Sequence, residues 1–156
     1  MRETSFEELL RRDGVLVYKV KGVSMLPMLR QNRDLVVISR PEGRLRPYDV
    51  ALYRRGGKYV LHRVLRVREE DYLIRGDNCL ALEEIPAQDV LGVLTAFVRD
   101  GKRIPVTDRH YQRYARVWCA LYPARRVFLR ARGLAGRVVR RMRRRWNQRK
   151  EQRHGH

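Results

Sequence analysis

The chain has 156 residues, two cysteines and a net charge of +19. That length suits one ordinary domain, or a smaller one with an extension, and it can bury a core without disulfides or metal staples. Cys79 and Cys119 are too few for a disulfide framework and too scattered for a zinc cluster, so a reducing compartment and no metal or other cofactor are expected. The longest apolar-leaning run, Val90 to Val98, is about half of the roughly 20 residues a membrane helix needs. The polar stretch Met1 to Asp13 is not expected to act as a signal peptide, which makes a cytoplasmic protein the expectation.

The charge is unevenly spread. Residues 1–98 hold 17 Lys/Arg against 14 Asp/Glu, a net +3, whereas residues 99–156 hold 19 against 3, a net +16. The first part reads as a globular domain and the second as a basic extension.

In chain order, Ser5 with Glu8 three residues on forms a capping-box pattern for a short helix with Phe6, Leu9 and Leu10 on its apolar side, closed by Asp13-Gly14. Strand-like runs follow at Val15–Val20, Asp34–Ser39, Asp49–Arg54, Tyr59–Val67, Tyr72–Arg75 and Val90–Val98. Arg55-Gly56-Gly57-Lys58 reads as a hairpin turn, and Asp100-Gly101 leads to a last strand at Arg103–Val106. These short strands predict a mainly β (α+β) fold built on a coiled, barrel-like antiparallel sheet, over residues 1–106. From Thr107 the period becomes helical, with Tyr111, Tyr114, Ala115, Trp118 and Tyr122 opposite Gln112, Arg113 and Arg116. Pro123 interrupts. A second helix is predicted beyond it, with Phe128, Ala131, Ala135, Val138, Met142 and Trp146 on one side and arginines largely on the other. Residues 107–156 are therefore read as a basic helical extension.

Three short segments carry candidate chemistry. Ser24 lies in Gly22-Val23-Ser24-Met25-Leu26-Pro27, just after the first strand. A serine needs a base to become a nucleophile and N–H donors to hold the oxyanion it creates. Gly22 would let the backbone approach a substrate, and Pro27 would stiffen the turn. His62 lies in a strand, on the same face as Val60 and Val64, and is read either as a buried, hydrogen-bonded residue or as the base. Asp77 lies in the turn Arg75-Gly76-Asp77-Asn78. Cys79, beside it, reads as a small buried residue and not a second nucleophile.

Taken in this order, the segments resemble the signal peptidase I family and its relatives, the LexA-type self-cleaving repressors, from about Asp13 to Val98. Gly-x-Ser-Met-x-Pro is similar to the family's nucleophile box. Asn32–Val37 and Tyr48–Tyr53 look like its following strands, His62-Arg63-Val64 like its base segment, and Gly76-Asp77-Asn78 like its last box. A histidine at the base position is similar to the endoplasmic-reticulum and archaeal branch. The resemblance implies Ser24 as nucleophile, His62 as general base then acid, and Asp77 orienting His62 or stabilising its charged form. It implies the Ser24 backbone N–H as oxyanion donor, and Gly22, Met25 and Pro27 as substrate-positioning residues. Many bacterial members add a hydroxyl where this chain has Gly22. The histidine branch often has a second acidic residue further on, for which Glu83 is the candidate here.

The expected function is a serine endopeptidase acting on an extended peptide or precursor segment, with a peptide or protein as its partner. Alternatives are a non-catalytic module that binds peptides or a membrane surface, or a nucleic-acid-associated protein acting through its basic tail. For residues 107–156 an anionic membrane surface, at the inner face of the membrane, is favoured over nucleic acid, with Trp118, Phe128, Leu134 and Trp146 as apolar anchors.

Overall fold

The structure is a computed structural model that describes residues 5–128. The chain divides into two compact units, Met1–Cys119 and Ala120–His156. The predicted second helix, with Leu134 and Trp146, lies beyond residue 128 and so outside the described residues.

The first unit opens with α1 (Phe6–Asp13), whose start and stop match the sequence signals. The Ser5 side chain accepts from the Glu8 N–H, and Gly14 closes the helix in the left-handed conformation. Eight strands follow: β1 (Val15–Lys19), β2 (Leu35–Ser39), β3 (Val50–Arg55), β4 (Lys58–Val67), β5 (Asp71–Arg75), β6 (Glu83–Pro86), β7 (Val90–Arg99) and β8 (Lys102–Pro105). All pair antiparallel in the order β1-β2-β7-β3-β4-β5-β6, with β8 alongside β7. The strand missing from the sequence reading is β6. Its Glu-Glu-Ile-Pro offers one buried apolar residue, Ile85, and no alternation to detect.

The sheet is open, which corrects the barrel-like expectation. A small closed barrel has one interior, whereas here both faces of the sheet are buried. Along β3, Val50 and Leu52 enter one core with Leu16, Met25, Leu29, Val36, Ile38 and Leu94. Ala51 and Tyr53 enter another with Leu45, Val64, Tyr72, Ile74 and Ile85. Strand alternation sends neighbouring residues to opposite faces, so a strand buried on both reads as a continuous apolar run.

Helix α2 (Arg109–Ala120) belongs to this first unit for most of its length, so the domain does not stop at residue 106. Asp108 caps it by accepting from the Tyr111 N–H. Tyr111 and Ala115 are buried, Tyr111 as part of the core that contains Phe97. Gln112, Arg113 and Arg116 face solvent, as the helical period requires. In the second unit, residues 122–128 are helical.

A chain ending at residue 106 should therefore be less stable than one ending at residue 120. Removing buried aromatic contacts on the scale of Tyr111 costs about 3–5 kcal/mol. Urea denaturation followed by far-ultraviolet circular dichroism checks this, and equal midpoints would refute the assignment of α2 to the core.

Candidate active site

Ser24 sits in a turn anchored in the core by Met25, Met28 and Leu29, all buried, while Val23 and Pro27 are exposed. Gly22 has φ +86°, a conformation that side chains rarely adopt, and nothing would touch a Cβ there. The backbone angle alone requires a glycine here. The Leu26–Pro27 peptide is cis.

The Ser24 turn is tied to the Gly76-Asp77-Asn78 turn at several points. The Ser24 carbonyl accepts from the Asn78 N–H at 2.7 Å, and the Val23 carbonyl from Asn78 Nδ2 at 3.2 Å. The close approach falls at Gly76. A Cβ there would lie 2.7 Å from the Ser24 carbonyl oxygen, 2.8 Å from Cys79 Sγ and 2.9 Å from His62 Nε2. Only a glycine lets the Ser24 backbone and the imidazole face each other across this turn.

His62, on β4, is 2 % exposed. It pairs with Ala51 of β3, so Tyr53, two residues along, shares its face of the sheet. The Tyr53 hydroxyl lies 3.1 Å from His62 Nδ1, and Glu83 Oε1 lies 3.2 Å from the same nitrogen. Tyr53 donates its own proton to Glu83 Oε2 at 2.8 Å. Both neighbours of Nδ1 are thus acceptors, which puts the proton of neutral His62 on Nδ1. Nε2 is left with its lone pair, on the side of Gly76 and the Ser24 backbone.

Burial dominates the electrostatics of His62 and holds its pKa below the usual 6.5. The charges of Glu83 and Asp77 oppose that shift, and Arg55 adds to it. Burial also pushes Glu83 up, but hydrogen bonds from Arg55 and Tyr53 outweigh it and keep this carboxyl below its ordinary range. Desolvation and the Glu83 charge raise the Cys79 thiol, which argues against a second nucleophile.

Asp77 is engaged chiefly elsewhere. Its carboxylate takes two hydrogen bonds from the buried guanidinium of Arg63, Nε to Oδ1 at 2.8 Å and Nη2 to Oδ2 at 2.7 Å. Tyr114 donates to Oδ2, and Trp118 Nε1 donates to the Asp77 carbonyl. Asp77 thus acts on His62 through its charge, while Glu83 stands against Nδ1. In the sequence Glu83 is only a supplementary candidate, and Tyr53 carries no signal beyond its strand.

Ser24 and His62 line one cavity of about 1120 Å³, together with Gly22, Met25, Cys79 and Glu83. No hydrogen bond joins the Ser24 hydroxyl to the imidazole, and catalytic hydrogen bonds often tighten only with substrate. Among the described residues no acceptor pairs with the Ser24 N–H, so it is available to an oxyanion. Pro27 lines a separate pocket under α2, away from this cavity, with Met28, Phe97 and Tyr111. No protein-family model matches the chain, and no curated protein matches it in sequence.

The two carboxylates should separate on substitution. Asp77→Ala strands a buried guanidinium and should cost about 3–5 kcal/mol. Glu83→Gln, at a half-open position, should cost far less in stability but lower the His62 pKa further, since Glu83 now raises it. Denaturation midpoints and NMR titration of the imidazole test both. A stable Asp77→Ala protein would refute the structural role given to the Arg63–Asp77 pair.

Proposed function

We propose that this chain is a serine endopeptidase of the signal-peptidase type, acting on an extended peptide. The observation that carries the reading is the setting of His62, whose Nδ1 faces the Tyr53 hydroxyl and Glu83 while Nε2 lies beside the Ser24 turn. In the reaction, Ser24 Oγ attacks the peptide carbonyl while His62 Nε2 takes the hydroxyl proton. The Ser24 N–H donates to the oxyanion. Nε2 then protonates the leaving amine as the C–N bond breaks, and a water, deprotonated by the same nitrogen, hydrolyses the acyl-enzyme. Glu83 and Tyr53 hold the ring and stabilise the imidazolium, with Asp77 adding charge from further off. Met25, buried against the core, positions the nucleophile turn and forms part of the cavity floor.

Ser24→Ala and His62→Ala should each abolish cleavage, and the double variant should be hardly worse than either, because the two act as a unit. A base must be neutral, and burial keeps His62 neutral to lower pH. The acidic limb of kcat/KM should accordingly lie below about pH 6.5. The same shift means that folding stability is present above about pH 6.5 and declines as the pH falls below it, where the unfolded chain binds the proton first. Retention of most activity in Ser24→Ala, or an acidic limb above about pH 8, would exclude this mechanism.

For the basic extension we retain the anionic-membrane reading over nucleic acid. Its support is the exposure of Leu121, Val127 and Phe128 among arginines. No helix among the described residues is long and apolar enough to cross a membrane. Trp118 does not act as an anchor, because it stacks on Tyr114 and bonds to Asp77. Binding to anionic vesicles should keep a salt-resistant part that Leu121→Ala and Phe128→Ala reduce. Duplex-DNA binding without vesicle binding would remove this reading.

A further inference from the structure

The cavity that holds Ser24 and His62 has an apolar floor and a basic rim. Val20, Met25, Leu29 and Leu61 form buried parts of its lining, and Phe6, Tyr18 and Tyr59 an aromatic side. Lys19 and Lys21, on the segment leading into the nucleophile turn, line it with Arg55 and Lys58 at the β3–β4 hairpin, and all four are exposed.

The carboxylates nearby are already engaged. Glu83 is held by Arg55 and Tyr53, and Glu7 by Tyr59 and Arg54. Among the described residues, Lys19, Lys21 and Lys58 form no ion pair. Three ammonium groups therefore converge on one cavity with no protein counter-charge. Over residues 1–119 the unit holds 23 Lys/Arg against 16 Asp/Glu, a net +7, and three of those positive charges stand on this one cavity without a paired carboxylate. Field lines of one sign over a cavity with apolar walls favour a ligand of the opposite sign.

We infer that the cavity selects peptides carrying acidic side chains a few residues to one side of the bond that is cut. This rests on the peptidase reading for the cut itself, but the charge preference is a property of the cavity. Lys58 is four residues from His62 along β4, about 13 Å at the rise of an extended strand. An extended peptide with its scissile carbonyl at Ser24 thus brings its third or fourth flanking residue to the lysines. Glutamate or aspartate there gains charge-assisted contacts, and lysine or arginine is repelled.

The test uses the full chain with Ser24→Ala and labelled peptides that carry two glutamates, two glutamines or two lysines, three and four residues before or after a small-residue centre. Fluorescence anisotropy should show the glutamate peptide binding on the order of tenfold tighter than the glutamine peptide in one of the two placements. The gap should close as salt rises and as Lys19→Gln, Lys21→Gln and Lys58→Gln are combined, substitutions at exposed positions that leave the arginine-rich extension untouched. Equal binding of all peptides overturns the inference. So does a preference that survives the triple substitution, since it would then belong to the extension. Cleavage by the unmodified chain is read separately. Acidic preference in binding with no cleavage of any peptide refutes the peptidase reading alone, and cleavage without charge preference refutes the inference alone.

Discussion

The buried ion pair between Arg63 and Asp77 is the interaction on which the rest of the arrangement hangs. Removing two charges from water is costly unless nearly every donor and acceptor finds a partner. Here the guanidinium donates to both Asp77 oxygens, to the Tyr48 carbonyl and to the Tyr111 hydroxyl, with Met28 Sδ beside Nη2. The rings of Tyr111 and Tyr114 lie 5.8 and 5.9 Å from the guanidinium carbon. Each partner comes from a different segment: the turn after β5, the loop before β3, the Ser24 turn and α2. One side chain therefore fixes four pieces of chain that are distant in sequence. Tyr48 holds φ +78°, which a tyrosine rarely adopts, and is pinned by its carbonyl on Arg63 and its N–H on the Val64 carbonyl.

That dependence explains what could and could not be read from the sequence. Strand positions were legible because their apolar runs and turn residues are local signals. The predicted and observed limits of β1 to β5, β7 and β8 differ by one residue at most ends. The α1 caps were legible for the same reason. The open sheet was not, because nothing local distinguishes a strand buried on both faces of an open sheet from one in a closed barrel. Nor was β6, where four residues with a single buried side chain take their conformation from pairing with β5. The boundary at residue 106 was set by a change of period. Period reports the type of an element, and not the core into which it packs.

At the candidate site the sequence marks segments more readily than contacts. Ser24, His62 and Asp77 stand in turns and a strand that the fold brings together, but a carboxylate in a turn gives no sign of which cation will claim it. Asp77 is taken by Arg63, whose side chain is wholly buried. Glu83 reaches His62 because β6 runs along β5 and carries it to the Tyr53 hydroxyl. Gly22 and Gly76 show the same limit: both glycines are visible in the sequence, but only the fold shows that the first is set by its backbone angle and the second by the approach of Ser24 and His62.

Strand parity accounts for how one short segment serves both the core and the candidate site. His62 and Arg63 are consecutive on β4, so their side chains leave on opposite faces of the sheet. His62 meets Tyr53 and Glu83, and Arg63 meets Asp77, Met28 and Tyr111. The segment Gly76-Asp77-Asn78-Cys79 then wraps the end of the sheet. Gly76 faces the imidazole, Asp77 the guanidinium, and Asn78 the backbone of the Ser24 turn. A one-residue slip of β4 against β3 would exchange the two faces, burying a guanidinium beside Tyr53 and turning the imidazole toward Asp77. The Arg63–Asp77 pair therefore does more than stabilise the fold. By tolerating only one register, it keeps His62 Nδ1 against its acceptors and Nε2 on the side of Ser24.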